Sequence, residues 1–293
     1  MIKIRFTLIC LIFAFSASSQ NKQTISIDSL KKIYNQNYRL TKKISPREFT
    51  NTAQDFLKLL DTQRKIYKSL NNPKISQKTK SDINQLIPLQ VLTYLDLMIN
   101  GTIKNNIDSI QLYKTKILSL TKDHGLVGES FGVSAHTYLK NNLYTKAIVN
   151  FQTAYKYYKN SEKLKIQYRQ VHVLVNIIIT HIEIGTLEQA SISLDLLIKT
   201  INNFSNHPRL INLNELIKIM NAQILIANEE YDAALLVLQT VKETNLDRAQ
   251  LKEMYYDALH DTYNGLNNYT LGEYYLDKMF TPVNGDSLGL FKD

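Results

Sequence analysis

The 293-residue chain has no tryptophan, one cysteine, nine glycines and five prolines. A single cysteine, Cys10, excludes an intrachain disulfide framework and a metal site built from several thiolates. With glycine this scarce, phosphate-cradling loops are hard to build, and neither a Gly-rich nucleotide loop, a GxSxG elbow nor an HExxH pair occurs. The six histidines (His124, His136, His172, His181, His207 and His260) include no two at i, i+4 spacing, so no helix face aims two imidazoles at one ion. Paired-carboxylate motifs are also lacking. These absences leave no catalytic, cofactor-binding or metal-ligating residue to nominate, and the chain is read as a non-enzyme.

Long apolar runs are likewise missing after the first twenty residues. Those twenty carry Lys3 and Arg5, an apolar stretch from Phe6 to Phe15, and small residues at Ala17 and Ser19. That order describes a secretory signal peptide over 1–19, cleaved before Gln20, with an apolar core too short to cross a bilayer. Cys10 sits inside the apolar core, not at its end, which argues against lipid attachment there. Later apolar stretches are as short as Val173–Val175 and Ile177–Ile179, so no transmembrane helix is expected beyond the signal. The expected location is the periplasm or the cell surface, with envelope association possible.

Charge is abundant and uneven. Residues 20–122 hold 18 Lys/Arg against 7 Asp/Glu, and residues 123–293 hold 15 against 19. A basic first half suits an acidic partner or an anionic envelope surface, but a solvated lysine-rich surface is the plainer explanation and is preferred. Export argues against nucleic acid as a direct partner.

Few Gly and Pro with abundant Leu, Ile, Lys and Asn favour long helices. After a polar segment over 20–45, Ser45-Pro46-Arg47-Glu48 has the makings of a helix start, with Ser45 capping, Pro46 preset and Glu48 returning a bond. Phe49, Ala53, Phe56, Leu57, Leu60 and Ile66 then form one stripe, which Asn71-Asn72-Pro73 ends. A second helix is predicted over Gln77–Ile99, a turn at Asn100-Gly101, and a third helix through Ile107, Ile110, Tyr113, Ile117 and Leu120. Asp123-His124-Gly125 is expected to close this segment. Residues 46–122 thus read as degenerate helix pairs, with Ser109 in a small-residue position.

From residue 123 to 282 a helix-turn-helix pattern recurs four times. The first copy is Phe131, Ala135, Tyr138, Asn142, Tyr144, Ala147, Phe151, Ala154. The second is Leu174, Ile178, His181, Gly185, Leu187, Ala190, Leu194, Leu197. The third runs Lys218, Ala222, Leu225, Glu229, Tyr231, Ala234, Leu238, Val241, and the fourth Tyr256, His260, Tyr263, Asn267, Tyr269, Gly272, Leu276, Met279. Ala135 and Ala222 are small residues of first helices, replaced by Ile178 and His260 in the other copies. Ala147, Ala190, Ala234 and Gly272 mark the place where each second helix crosses its partner at close range. A capping box is predicted at Thr186-Leu187-Glu188-Gln189. Residues 283–293 form a short tail.

This pattern resembles the tetratricopeptide repeat family. The likeness covers about half the chain, with small-residue spacings of 43, 44 and 38 against about 34 in the standard repeat. It implies an all-α fold, an α-solenoid of antiparallel helix pairs, whose first helices line a groove that binds a protein or peptide. Carried over by position, the groove comprises Glu129, His136 and Lys140, then His172, Ile179 and Glu183, then Gln223 and Ile226, then Asp257, Asp261 and Asn264. His181 and His260 fall toward the helix-pair core. The Lys/Asn/Arg set with which some members clamp a terminal carboxylate is absent, and the acidic C-terminal end suggests a basic or neutral peptide. The expected function is a non-enzymatic binding scaffold. The alternative is the sensor part of a bacterial signalling regulator whose membrane and output modules are missing or separately encoded.

Overall fold

The computed structural model describes residues 25–40, 44–69, 76–204 and 210–280. The expected signal peptide, Cys10, His207 and the tail 283–293 lie outside them. Among the described residues all regular structure is helical, and the chain divides into two compact units, Met1–Lys122 and Asp123–Asp293.

In the first unit, α1 (Ile27–Leu40), α2 (Pro46–Ser69), α3 (Ser76–Ile103) and α4 (Ile107–Leu120) pack in sequence around α3. The start of α2 is a reciprocal cap: Ser45 N–H donates to Glu48 Oε2 at 3.1 Å, and Glu48 N–H donates to Ser45 Oγ at 3.3 Å. Leu30, Phe56, Leu60 and Leu86 meet in one core cluster, and Phe49, Ala53 and Leu97 in another. Tyr34 Oη donates to Asp96 Oδ2 at 3.0 Å, tying α1 to α3; burial pushes the Asp96 carboxyl up to about 7, against the pull of that bond. The stretch Asn84–Ile103 is long and apolar enough to cross a membrane by length and composition, but more than half of it is buried inside the protein.

Two expectations in this unit are corrected. Asn100-Gly101 is not a turn but lies within α3, because Asn100 Nδ2 finds partners on α2, donating to the Pro46 carbonyl at 3.0 Å and to Thr50 Oγ1 at 2.7 Å. Nor does Ser109 occupy the small-residue position. Ile110 does, and a Cβ added to Gly101 would come within 3.1 Å of its Cγ1, so the small residue has moved to the first helix of the pair.

The second unit consists of four helix pairs: α5 (His124–Lys140) with α6 (Tyr144–Lys159), α8 (Arg169–Glu183) with α9 (Leu187–Asn202), α10 (Leu210–Ala227) with α11 (Tyr231–Gln239), and α12 (Ala249–Gly265) with α13 (Tyr269–Phe280). The one-turn helix α7 (Leu164–Gln167) leads into α8, and a 3-10 turn over Glu243–Asn245 precedes α12. Each of α6, α9 and α11 packs against its own first helix and against the first helix of the following pair. Every pair therefore buries its apolar side only by means of a neighbour.

One turn geometry joins all these pairs, and α3 to α4 as well. Asn105, Asn142, Gly185, Glu229 and Asn267 are left-handed, with φ of 56°, 57°, 72°, 62° and 59°. The next residue's amide reaches back five positions: Asn106 to Gly101, Leu143 to Tyr138, Thr186 to His181 and Glu230 to Leu225, each at 2.9 Å, and Asn268 to Tyr263 at 2.8 Å. This is the Schellman closure of a helix C-terminus, which satisfies carbonyls that the helix leaves unpaired. Five residues after the left-handed one stand Ile110, Ala147, Ala190, Ala234 and Gly272, all buried. Ala135 and Ala222, on first helices, are also completely buried.

Two further expectations change here. Asp123 does not close a helix but opens one, its Oδ1 accepting the Leu126 amide at 3.0 Å as the N-cap of α5. The capping box at Thr186 does not form, because its hydroxyl is drawn to His181 instead, 2.7 Å from Nδ1. Of the neighbouring tyrosines on α6, Tyr158 is buried against Gly128, and half-buried Tyr157 stacks on Phe131 with ring centres 5.8 Å apart.

Of the five left-handed turn residues only Glu229 is neither Gly nor Asn; the left-handed region costs an ordinary residue of order 1–2 kcal/mol, part of which Asn recovers through local hydrogen bonds from its short side chain. Glu229→Asn should therefore stabilise the chain by about 0.5–1 kcal/mol, raising Tm by roughly 1–2 °C. Differential scanning calorimetry checks it, and a lowered Tm would show that the glutamate side chain makes a contact outweighing its backbone cost.

Candidate functional site

The first helices α8, α10 and α12 converge at their N-terminal turns on one small cleft of about 60 Å³. Its floor is apolar, with Val171 and Val175 from α8, Leu213 and Leu216 from α10, and Leu251 and Met254 from α12. Polar groups stand around it: His172, Asn212, Gln250, and Arg248 at the N-cap of α12. Small-molecule sites occupy roughly 300–1,000 Å³. This cleft is sized for one inserted side chain.

The segment that carries Arg248 is pinned to α10 by Glu215, whose side chain is 5% exposed. Its carboxylate accepts from Lys218 Nζ at 2.9 Å, from the Lys242 amide at 3.2 Å and from Asn245 Nδ2 at 3.0 Å. Lys218 Nζ also reaches the Thr240 carbonyl at 2.8 Å. Burial acts to make the Glu215 carboxyl less acidic, but the bonds from Lys218, Asn245 and the Lys242 amide outweigh it and hold the carboxyl below its ordinary range. Buried Leu246, one residue beyond the 3-10 turn, fastens the same segment from its apolar side.

The expected groove residues divide between two settings. Helical spacing carries the cleft lining onward along each first helix: His172, Val175, Ile179 and Glu183 on α8, Asn212, Leu216 and Gln223 on α10, and Gln250, Met254, Asp257 and Asp261 on α12. Asp257 and Asp261 share a turn, and burial raises both carboxyls above their ordinary range, Asp261 further by the charge of Asp257, while His260 pulls both back. Gln223 has its Oε1 buried without a partner.

The remaining residues, together with Glu183 at the far end of the α8 stripe, lie mostly in contacts within and between pairs. Glu129 accepts from Tyr158 Oη at 3.0 Å and from the Arg169 guanidinium, joining the first pair to the second. Glu183 accepts from Tyr144 Oη at 2.9 Å across the same junction. His136 lies edge-on to Phe151 with ring centres 5.1 Å apart, and burial lowers its basicity. Asn264 packs on Gly272 and donates to the ring of His260, whose Nδ1 donates in turn to the Gly272 carbonyl at 2.9 Å. Lys140 is exposed at the end of α5.

Arg248, Asn212, Gln250 and Met254 were not anticipated. They belong to helix ends that precede the repeat pattern, and the signal that could have found them is the i, i+4, i+7, i+11 series from Gln250 through Met254 and Asp257 to Asp261. Among the described residues no group of three His, Cys, Asp or Glu is arranged to hold a metal ion.

No family model and no curated protein matches the chain. Among solved structures it is similar to the crystal structure of BtubC (BKLC) from P. vanneervenii, with a TM-score of 0.37 and 13% identity, over 91% of this chain and 96% of that one. A likeness at that level carries no functional argument.

Glu215→Gln removes a buried, triply bonded charge. It should cost roughly 1–3 kcal/mol at neutral pH. Because the folded carboxyl is more acidic than the unfolded one, its contribution is present above the unfolded value and lost as pH falls through the folded one. The gap between wild type and variant in urea titrations should therefore be full at pH 7 and shrink below about pH 4; a gap independent of pH would show that the charge is not what stabilises the segment.

Proposed function

We propose that this chain is an exported, non-enzymatic scaffold of tetratricopeptide type that binds a protein or peptide along the first helices of its second unit. The observation that carries this reading is the convergence of α8, α10 and α12 on a cleft too small for a free ligand and suited to a side chain held by a larger partner. The stripes that leave the cleft along the same helices give such a partner an extended path, and the pinning of the α12 entry by Glu215 makes that path rigid. Rigidity lowers the entropy lost on binding. Export rests on the first twenty residues, whose charged start, apolar core and small-residue end suit a periplasmic or cell-surface location.

The test is affinity capture with the full mature chain from its native envelope, alongside an Asp257→Lys/Asp261→Lys variant of unchanged helical content. A protein retained by the wild type and depleted at least fivefold with the variant supports the scaffold. Identical captured sets from both would remove the first-helix surface as the binding site.

A further inference from the structure

The cleft and the acidic turn lie on one stripe of α12 but differ in character. Arg248 stands at the N-terminal end, where the helix dipole is also positive. Apolar lining follows, and then half-buried Asp257 and exposed Asp261 one turn on. Resting on the scaffold reading, we propose that the site recognises an extended peptide segment of fixed polarity: an acidic residue against Arg248, a neighbouring aliphatic side chain in the cleft, and a basic residue against Asp257 and Asp261.

The spacing follows from helix geometry. Arg248 and Asp257 are nine residues apart, about 13 Å along the axis at 1.5 Å per residue. An extended peptide advances about 3.3 Å per residue, so the acidic and basic residues stand about four positions apart, with the aliphatic residue next to the acidic one. The floor of Val171, Leu213, Leu216 and Leu251 has no charge, so it favours Leu, Ile, Val or Met over a polar side chain. Charge complementarity sets the order: a basic residue beside the cleft would face Arg248, and an acidic one at the far end would face two carboxylates. The acidic end alone suggested a basic or neutral ligand. With Arg248 included, the ligand becomes dipolar.

The experiment uses the full chain and two end-blocked, fluorescein-labelled peptides of identical composition, Glu-Leu-Ala-Ala-Lys and Lys-Leu-Ala-Ala-Glu, titrated by fluorescence anisotropy. The first, with leucine beside the carboxylate, should bind at least tenfold more tightly. Arg248→Glu should reduce that preference below threefold, and Arg248→Glu with Asp257→Lys and Asp261→Lys should invert it, each variant retaining wild-type circular dichroism. Equal binding of the two peptides, or saturable binding of neither, overturns the inference. If neither peptide binds while the envelope capture still depends on Asp257 and Asp261, the dipolar motif alone falls; if the capture is also indifferent to them, the scaffold reading falls with it.

Discussion

The structure depends on how closely two helices approach where they cross beside a left-handed turn. A carbonyl ladder that ends in a Schellman closure returns the chain at a fixed angle, and five residues later a side chain must fit against the first helix. Ala147, Ala190 and Ala234, none with any exposed surface, and buried Gly272 meet that limit by being small. In the α3–α4 pair the limit is the same and the solution is reversed: Ile110 is large, and Gly101 opposite it supplies the space. What recurs is one small residue at the crossing, supplied by whichever helix of the pair carries it.

From this constraint the functional surface follows. Because each second helix is held close to its own first helix, it is free to bury its other side on the next pair, as α6 does on α8, α9 on α10 and α11 on α12. That leaves the first helices α8, α10 and α12 side by side, so their N-terminal turns meet and form a cleft that no single pair could make. Glu215 supplies the remaining requirement. By holding the Lys242 amide and Asn245 it determines where α12 begins, and thus where Arg248 stands.

Much of the fold was legible in the sequence, since helix periodicity and small residues at turns are local signals. The stripe from Phe49 to Leu60, the cap at Ser45 and the left-handed turns at Asn142, Gly185 and Asn267 all have residue types that suit their geometry. Legibility failed where a specific side-chain partner overrode a local preference. Asn100-Gly101 has the composition of a turn, yet Pro46 and Thr50 draw the asparagine side chain into a helix interior. Thr186 has the composition of a cap, yet His181 takes its hydroxyl. The candidate site divided on the same principle: Asp257 and Asp261 were found by position alone, whereas the commitment of Glu129 to Arg169 and the arrival of Arg248 beside His172 depend on loops of unequal length, which no spacing rule encodes.

The most direct measurement of the central claim is a double-mutant cycle in the pair with the reversed solution. Gly101→Leu overfills the crossing and Ile110→Ala empties it, and each alone should destabilise the full chain in urea titrations, by roughly 1–3 and 2–5 kcal/mol. Combined, they recreate the arrangement that Leu225 and Ala234 occupy in the third pair of the second unit, so the double variant should be more stable than the sum of the two losses by at least about 1 kcal/mol. Strictly additive losses would contradict the account, because they would mean that the two positions do not share one volume.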